Sequence, residues 1–327
     1  MKKVMIWVAA VVLLAACNEN RRLFQEARLA TSKGNYTQAI ELYSRLIKKV
    51  PNHYPAYINR GVLWERLPVK DAKERQQNRT RAEEDYLQAI SLNPKVAEAY
   101  NNLGALYIDM KRNLDASYQL SESLSLQPNY FPARMNRAIA YFRLGNTVAA
   151  LSDFNYAARL RSKDPLLLLN RALAFYEMGQ YESAVEDLSY LITFNPNHAR
   201  AYLERARALI KMGYPSNAYA DLEEAVTIKP TYALAYYYMG DLMFRKGEKD
   251  TALGLMVKSK ELANQYAPTY DLMGDMLAVE DPVAATANYM VARRLDPSHA
   301  QRYDAKIRLM RSEEGRERVL ANRFFPQ

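Results

Sequence analysis

Pro165–His198, PLLLLNRALAFYEMGQYESAVEDLSYLITFNPNH, decides how the chain is read. With Pro165 as position 1, position 8 is Ala172, position 11 Phe175, position 15 Gly179, position 20 Ala184 and position 32 Pro196. The next 34 residues repeat the scheme with Ala206, Leu209, Gly213, Ala218 and Pro230. Apolar residues recur at helical spacing in two segments of about 12–14 residues per period, which predicts a pair of helices. Recurrence at this period marks a solenoid, in which each repeat buries its apolar face only against its neighbours.

Working outward, Asn20 to His299 falls into eight registers that begin at Asn20, Tyr54, Ala97, Phe131, Pro165, Ala199, Ala233 and Ala267. Position 8 is Gly or Ala throughout (Ala27, Gly61, Gly104, Ala138, Ala172, Ala206, Gly240, Gly274), and position 20 is always Ala, from Ala39 to Ala285. Small residues there let the two helices of a repeat approach closely, while aromatics such as Tyr57, Tyr100, Tyr202, Tyr236 and Tyr270 at position 4 fill the space around them. Glycine at position 15 ends the first helix, and proline at position 32 ends the second because it lacks an N–H and has a locked φ. Positions 8 and 15 account for nine of the eleven glycines, which leaves no basis for a phosphate-cradling loop.

These residues resemble a tetratricopeptide repeat array. The resemblance implies an all-α, right-handed superhelical solenoid of about eight helix pairs over 22–299. The units are 20–53, 54–96 with an insertion at 66–80, 97–130, 131–164, 165–198, 199–232, 233–266 and 267–299. A capping helix over 300–311 and a tail over 312–327 follow, the tail ending in Phe324-Phe325-Pro326, which docks either on the array's own flank or on a partner. The insertion, RLPVKDAKERQQNRT, is polar and charged: an extension of the helices of repeat two or a loop, with a partner contact as the sharper reading.

Family resemblance also implies that first helices line a concave groove, with positions 2, 5, 6, 9, 12 and 13 nearest a bound protein or extended peptide. Position 6 is Asn59, Asn102, Asn136 and Asn170 in four consecutive repeats. An asparagine row can read peptide backbone by donating to a carbonyl and accepting from an N–H, or it can bond within the scaffold. Ile139, Phe142, Leu173 and Tyr176 would form an apolar floor beside it, changing to Arg207, Lys211, Tyr237 and Asp241 further on.

A second pattern concerns charge. Position 7 is Arg60, Arg137, Arg171 and Arg205 in four repeats, and position 23 is Asp85, Asp153, Asp187 and Asp221 in the same four. Where position 7 is Leu103, Met239 or Met273, position 23 is Gln119, Leu255 or Asn288. The charges appear and vanish together, which predicts a bidentate bridge between the two helices of one repeat.

The N-terminus reads as an address. Met1-Lys2-Lys3 precedes the apolar Val4–Leu14, and Leu14-Ala15-Ala16-Cys17 resembles a bacterial lipobox, with residues 1–16 removed as a signal peptide and Cys17 lipidated. The alternative is an uncleaved anchor helix with an incidental cysteine. Residues 17–21 would be a short tether, and Asn18 after the cysteine favours, by resemblance to enteric lipoproteins, the outer membrane facing the periplasm. Arg21, Arg22 and Arg28 then either meet lipid headgroups or are simply solvated.

The remaining composition excludes more than it assigns. One Cys and three His, at 53, 198 and 299, all in inter-repeat turns, leave no metal site, and no cofactor or catalytic motif is legible. Net charge +9 is spread beside 36 acids and reads as a mildly basic surface rather than a nucleic-acid patch, with a role at an anionic surface as the alternative. The expectation is a non-catalytic, membrane-anchored scaffold for protein partners in the bacterial cell envelope. Lipoproteins of this build include assembly factors for type IV pilus secretins, regulators that gather peptidoglycan hydrolases and outer-membrane assembly components. The alternative is a chaperone-like holder of extended segments during export or pilus and outer-membrane assembly.

Overall fold

The computed structural model describes residues 18–324. The lipobox, Cys17 and the Phe325-Pro326 end therefore lie outside the described residues. Among the described residues every regular element is helical. First helices are α1 (18–32), α3 (Tyr54–Arg66), α5 (Ala97–Asp109), α7 (Phe131–Arg143), α9 (Pro165–Glu177), α11 (Ala199–Lys211), α13 (Ala233–Lys246) and α15 (Ala267–Leu277). Second helices are α2 (Tyr36–Lys49), α4 (Ala72–Leu92), α6 (Asn113–Leu126), α8 (Thr147–Leu160), α10 (Tyr181–Phe194), α12 (Pro215–Ile228), α14 (Lys249–Leu262) and α16 (Pro282–Leu295).

The chain forms two compact units, the first ending at Leu167 and the second starting at Leu168. Within each, a second helix packs on its own first helix and on the first helix of the next repeat: α4 on α3 and α5 in the first unit, α12 on α11 and α13 in the second. No helix can bury its apolar stripe alone, so the stack itself supplies the core.

Position 8 must be small because position 24 fills the space opposite. A Cβ at Gly61 would sit 2.7 Å from Tyr86 Cε1, and one at Gly274 2.4 Å from Tyr289 Cε1. Both rings are fully buried, and the hydroxyl of Tyr289 donates to Asp275 at 3.0 Å.

The turn between first and second helices uses a left-handed residue at position 15. Five glycines hold it, with φ between 73° and 92°, but repeat three places Lys111 there at φ 61°. The Arg112 N–H still closes on Tyr107 O at 2.8 Å, so the cap forms without its preferred residue. The left-handed conformation costs a residue with a Cβ about 1–2 kcal/mol, and part of this is offset by the lower unfolded-chain entropy of lysine. Lys111→Gly is accordingly expected to stabilise the protein by about 0.5–1 kcal/mol, read as a higher urea midpoint at unchanged slope.

Two parts of the chain depart from the repeat. The insertion extends α4 at its N-terminal end to 21 residues, against 14 in α6 and α8. Asp71 accepts from the Glu74 N–H at 2.8 Å and Glu74 accepts from the Lys70 N–H at 3.0 Å, so the extension begins with reciprocal caps. At the other end α17 (Ala300–Leu309) follows a short 3₁₀ turn, and Glu313–Phe324 forms a further helix, α18, where the sequence reads as a tail. α18 returns onto α15: Val319 joins Ala278, Ala285, Tyr289 and Met310, while Leu320 packs against the cluster of Phe244, Met273 and Met276. Its sequence signal is weak because two adjacent apolar residues do the packing, with no stripe at helical spacing to announce it.

Candidate functional site

The four covarying charge pairs meet. Arg60, Arg137, Arg171 and Arg205 each donate Nε and Nη2 to the two oxygens of Asp85, Asp153, Asp187 and Asp221, at 2.6–2.9 Å. Burial pushes the Asp85 carboxyl above its ordinary value, against the opposing pull of the Arg60 bonds. The arginines also reach one repeat back: Nη1 of Arg60, Arg137 and Arg205 donates to Ser44, Ser121 and Ser189 at 2.9–3.1 Å. Position 25 of the preceding repeat is thus serine before these arginines, but Leu87, Glu223 and Val257 before Leu103, Met239 and Met273. That covariation is present in the sequence and would have identified an inter-repeat clip. The bridges hold the two helices of a repeat together.

The asparagine row is engaged with the scaffold. Asn59 Nδ2 donates to Pro55 O in its own helix at 2.7 Å. Asn136 Nδ2 donates to Asn101 Oδ1 at 3.0 Å, and Asn101 Nδ2 donates to Asn102 at 3.1 Å, a chain that ties α7 to α5. Asn170 is half-buried on α9. Ile139 packs partly against the α5–α6 core, and Phe142 and Leu173 are half-buried.

In the second unit an aromatic and cationic row occupies the first helices. Tyr176 lies edge-on to Tyr181 at 5.3 Å, and the Arg207 guanidinium sits 4.7 Å from the Tyr176 ring centre and 5.9 Å from that of Tyr238. Tyr237 lies edge-on to Tyr238 and Tyr266 at 5.2 and 5.4 Å. Burial pushes the Tyr176 phenol up and that of Tyr266 to about 12, so these rings stay neutral donors across the physiological range. Arg207 is bonded to Glu204, but its buried Nε has no partner among the described residues.

Beyond Tyr237 the chain covers its own face. Lys306 of α17 bonds Asp271 and Asp275 at 2.7 and 2.6 Å, and Arg302 bonds Asp271 at 2.6 Å. Asp271 and Asp275 hold positions 5 and 9 of repeat eight, positions that the family resemblance assigns to a ligand. The open part of this unit's face therefore lies before repeat eight, around Tyr176 and Arg207.

Residues 10–68 and 169–233 match the family described as Tetratricopeptide repeat, and residues 82–136 match one described as Est1 DNA/RNA binding domain. A tetratricopeptide repeat protein from Parabacteroides merdae is similar at 23% identity and TM-score 0.57, over 75% of this chain and 94% of that one. Pseudomonas aeruginosa pilF is similar at 21% identity and TM-score 0.56, over 64% and 97%. YrrB, described as a tetratricopeptide protein with an unusual peptide-binding site, is similar at 19% identity and TM-score 0.50, over 59% and 95%. At these identities the likeness concerns the fold. In the stretch shared with the Est1 family, Arg112 is paired with Glu83 and Asp115, and Arg134 with Asp153, so these cations already have carboxylate partners.

Proposed function

From the premise that this chain is a tetratricopeptide-repeat protein, we propose that it is a lipid-tethered adaptor of the bacterial cell envelope that holds protein partners at a membrane surface. The observation that carries the binding half of this reading is the half-buried row of Tyr176, Arg207, Tyr238 and Tyr237 on successive first helices. Tyr and Arg are the residue types that dominate binding hot spots, and an unpartnered guanidinium nitrogen among rings suits a partner's carbonyl or carboxylate. The tether half rests on the Leu14-Ala15-Ala16-Cys17 pattern. Among the described residues no helix is long and apolar enough to cross a membrane; the anchor in this reading is the acyl chains on Cys17. The outer membrane, facing the periplasm, is the placement that Asn18 favours.

The engaged amides of Asn59 and Asn136 favour an adaptor for defined partners over a holder of arbitrary extended chains. Conversion of substrate forms no part of this reading.

The tether is tested by Cys17→Ser, expected to abolish acyl modification in mass spectra of the N-terminus and to shift the protein from membrane to soluble fractions. Unmodified wild-type protein would refute it. Tyr176→Ala with Arg207→Ala is expected to weaken capture of envelope proteins by about tenfold or more at unchanged helical content. Undiminished capture by that double variant would place the binding surface elsewhere.

A further inference from the structure

The extended start of α4, the connection before it and the ends of α3 and α5 enclose a pocket of about 440 Å³ where repeat two meets repeat three. This volume falls in the range of cavities that take a small ligand. One wall is apolar, made by Trp64, Leu67 and Val69. The polar part of the lining carries Arg75 and Asn78 from the insertion, with Glu65, Arg79 and Asp109.

The polar wall has unmet capacity. Asn78 is 3% exposed, and its Nδ2 has no partner among the described residues, while its Oδ1 accepts from Arg81 at 3.4 Å. A buried donor left unpaired is destabilising, and an incoming acceptor would relieve it. Arg75 is exposed and pairs with no acid among the described residues, whereas Arg79 beside it is taken by Asp109. Arg81 lies over the Trp64 ring at 4.7 Å, adding positive charge behind the apolar wall. The Glu65 carboxyl accepts the Tyr86 hydroxyl, and burial pushes its pKa up, so it opposes an anion less than an exposed carboxylate would.

Two donors, Arg75 and Asn78, lie beside apolar side chains, while the two acids of the lining, Glu65 and Asp109, are engaged by Tyr86 and Arg79; this arrangement fits an anion joined to hydrocarbon. We propose that the pocket of repeat two binds a peptide carboxylate, held by Arg75 and Asn78, with the adjoining apolar side chain against Leu67 and Val69. The carboxylate comes either from a chain end or from an acidic side chain in an apolar context. This site is separate from the tyrosine row and from the tether, so it stands or falls independently of the adaptor reading.

Trp64 reports occupancy, because Trp7 is the other of the two tryptophans. Detergent-solubilised protein, carrying Trp7→Phe so that any copy retaining residues 1–16 is also silent there, is titrated with acetyl-Ala-Ala-Val as the free acid, with the same peptide as its amide, and with acetyl-Ala-Asp-Val amide. The expected result is a saturable change in emission with a carboxylate peptide at about tenfold higher affinity than the neutral amide, the size of a charge-assisted bond. Tighter binding of the free acid assigns the site to chain ends, and tighter binding of the Asp peptide assigns it to acidic side chains. Arg75→Gln, at an exposed position, is expected to remove that preference without changing the melting temperature, and Asn78→Asp to remove it by charge repulsion. The proposal is overturned if the neutral amide binds as well as both carboxylates, or if Arg75→Gln leaves the preference intact. It fails equally if no peptide gives a saturable change up to about 10 mM, weaker than any useful recognition.

Discussion

Asp153→Ala is expected to destabilise the first unit by about 3–5 kcal/mol, the cost of stranding buried charge. Asp153 is 4% exposed and accepts Arg137 through Nε at 2.7 Å and Nη2 at 2.9 Å, and Arg134 through Nη1 at 2.9 Å. Its removal leaves two largely buried guanidiniums, 19% and 14% exposed, without their countercharge. Replacing the whole group (Asp153→Leu with Arg134→Met and Arg137→Met) is expected to be close to neutral or to stabilise by about 1–4 kcal/mol, since the desolvation cost disappears with the attraction. Urea unfolding of the two variants checks the sign difference. A loss below about 1 kcal/mol in the single variant would mean a solvated, surface-type pair and would remove the buried-bridge account.

Gly104→Ala and Leu120→Ala should each destabilise, and the first should change sign in the background of the second. A Cβ at Gly104 would lie 2.5 Å from Leu120 Cγ and 2.9 Å from its Cδ2, in a fully buried contact. Overpacking of that kind costs about 1–3 kcal/mol, while alanine in a helix returns about 0.5–1 kcal/mol over glycine, so the clash wins. Leu120→Ala costs about 2–5 kcal/mol through the cavity it leaves. With the leucine gone the added methyl meets no obstacle, and Gly104→Ala should then stabilise by its helix propensity alone. A double-mutant cycle by thermal or urea unfolding measures the coupling. Strict additivity would show that the helices do not approach here as the structure has them.

The same contact shows what the residues disclose by themselves. That position 8 must be small follows from its recurrence as Gly or Ala; that the obstacle is position 24 (Tyr86, Leu120 or Tyr289) does not, because a large apolar residue on a second helix has several faces it could serve. The Arg–Asp pairs were legible because they covary within a repeat. The Ser44, Ser121 and Ser189 clip crosses a repeat boundary and was missed, although its covariation is equally visible. The asparagine row could be named from the sequence but not assigned: whether an amide faces a ligand or a neighbouring helix depends on helix rotation, which a 34-residue period leaves open.

What the sequence alone determined is the all-helical repeat stack and its charge pairs, since each is written eight or four times over and rests on contacts between neighbours. Tertiary structure decided the features that occur once. The insertion supplies five residues of pocket lining, Leu67, Val69, Arg75, Asn78 and Arg79, only because α4 extends across the ends of α3 and α5. Glu313–Phe324 became a helix folded onto α15 because Val319 and Leu320 find apolar neighbours far back in the chain. Repeated local burial leaves a period that can be read, whereas a single long-range contact leaves none.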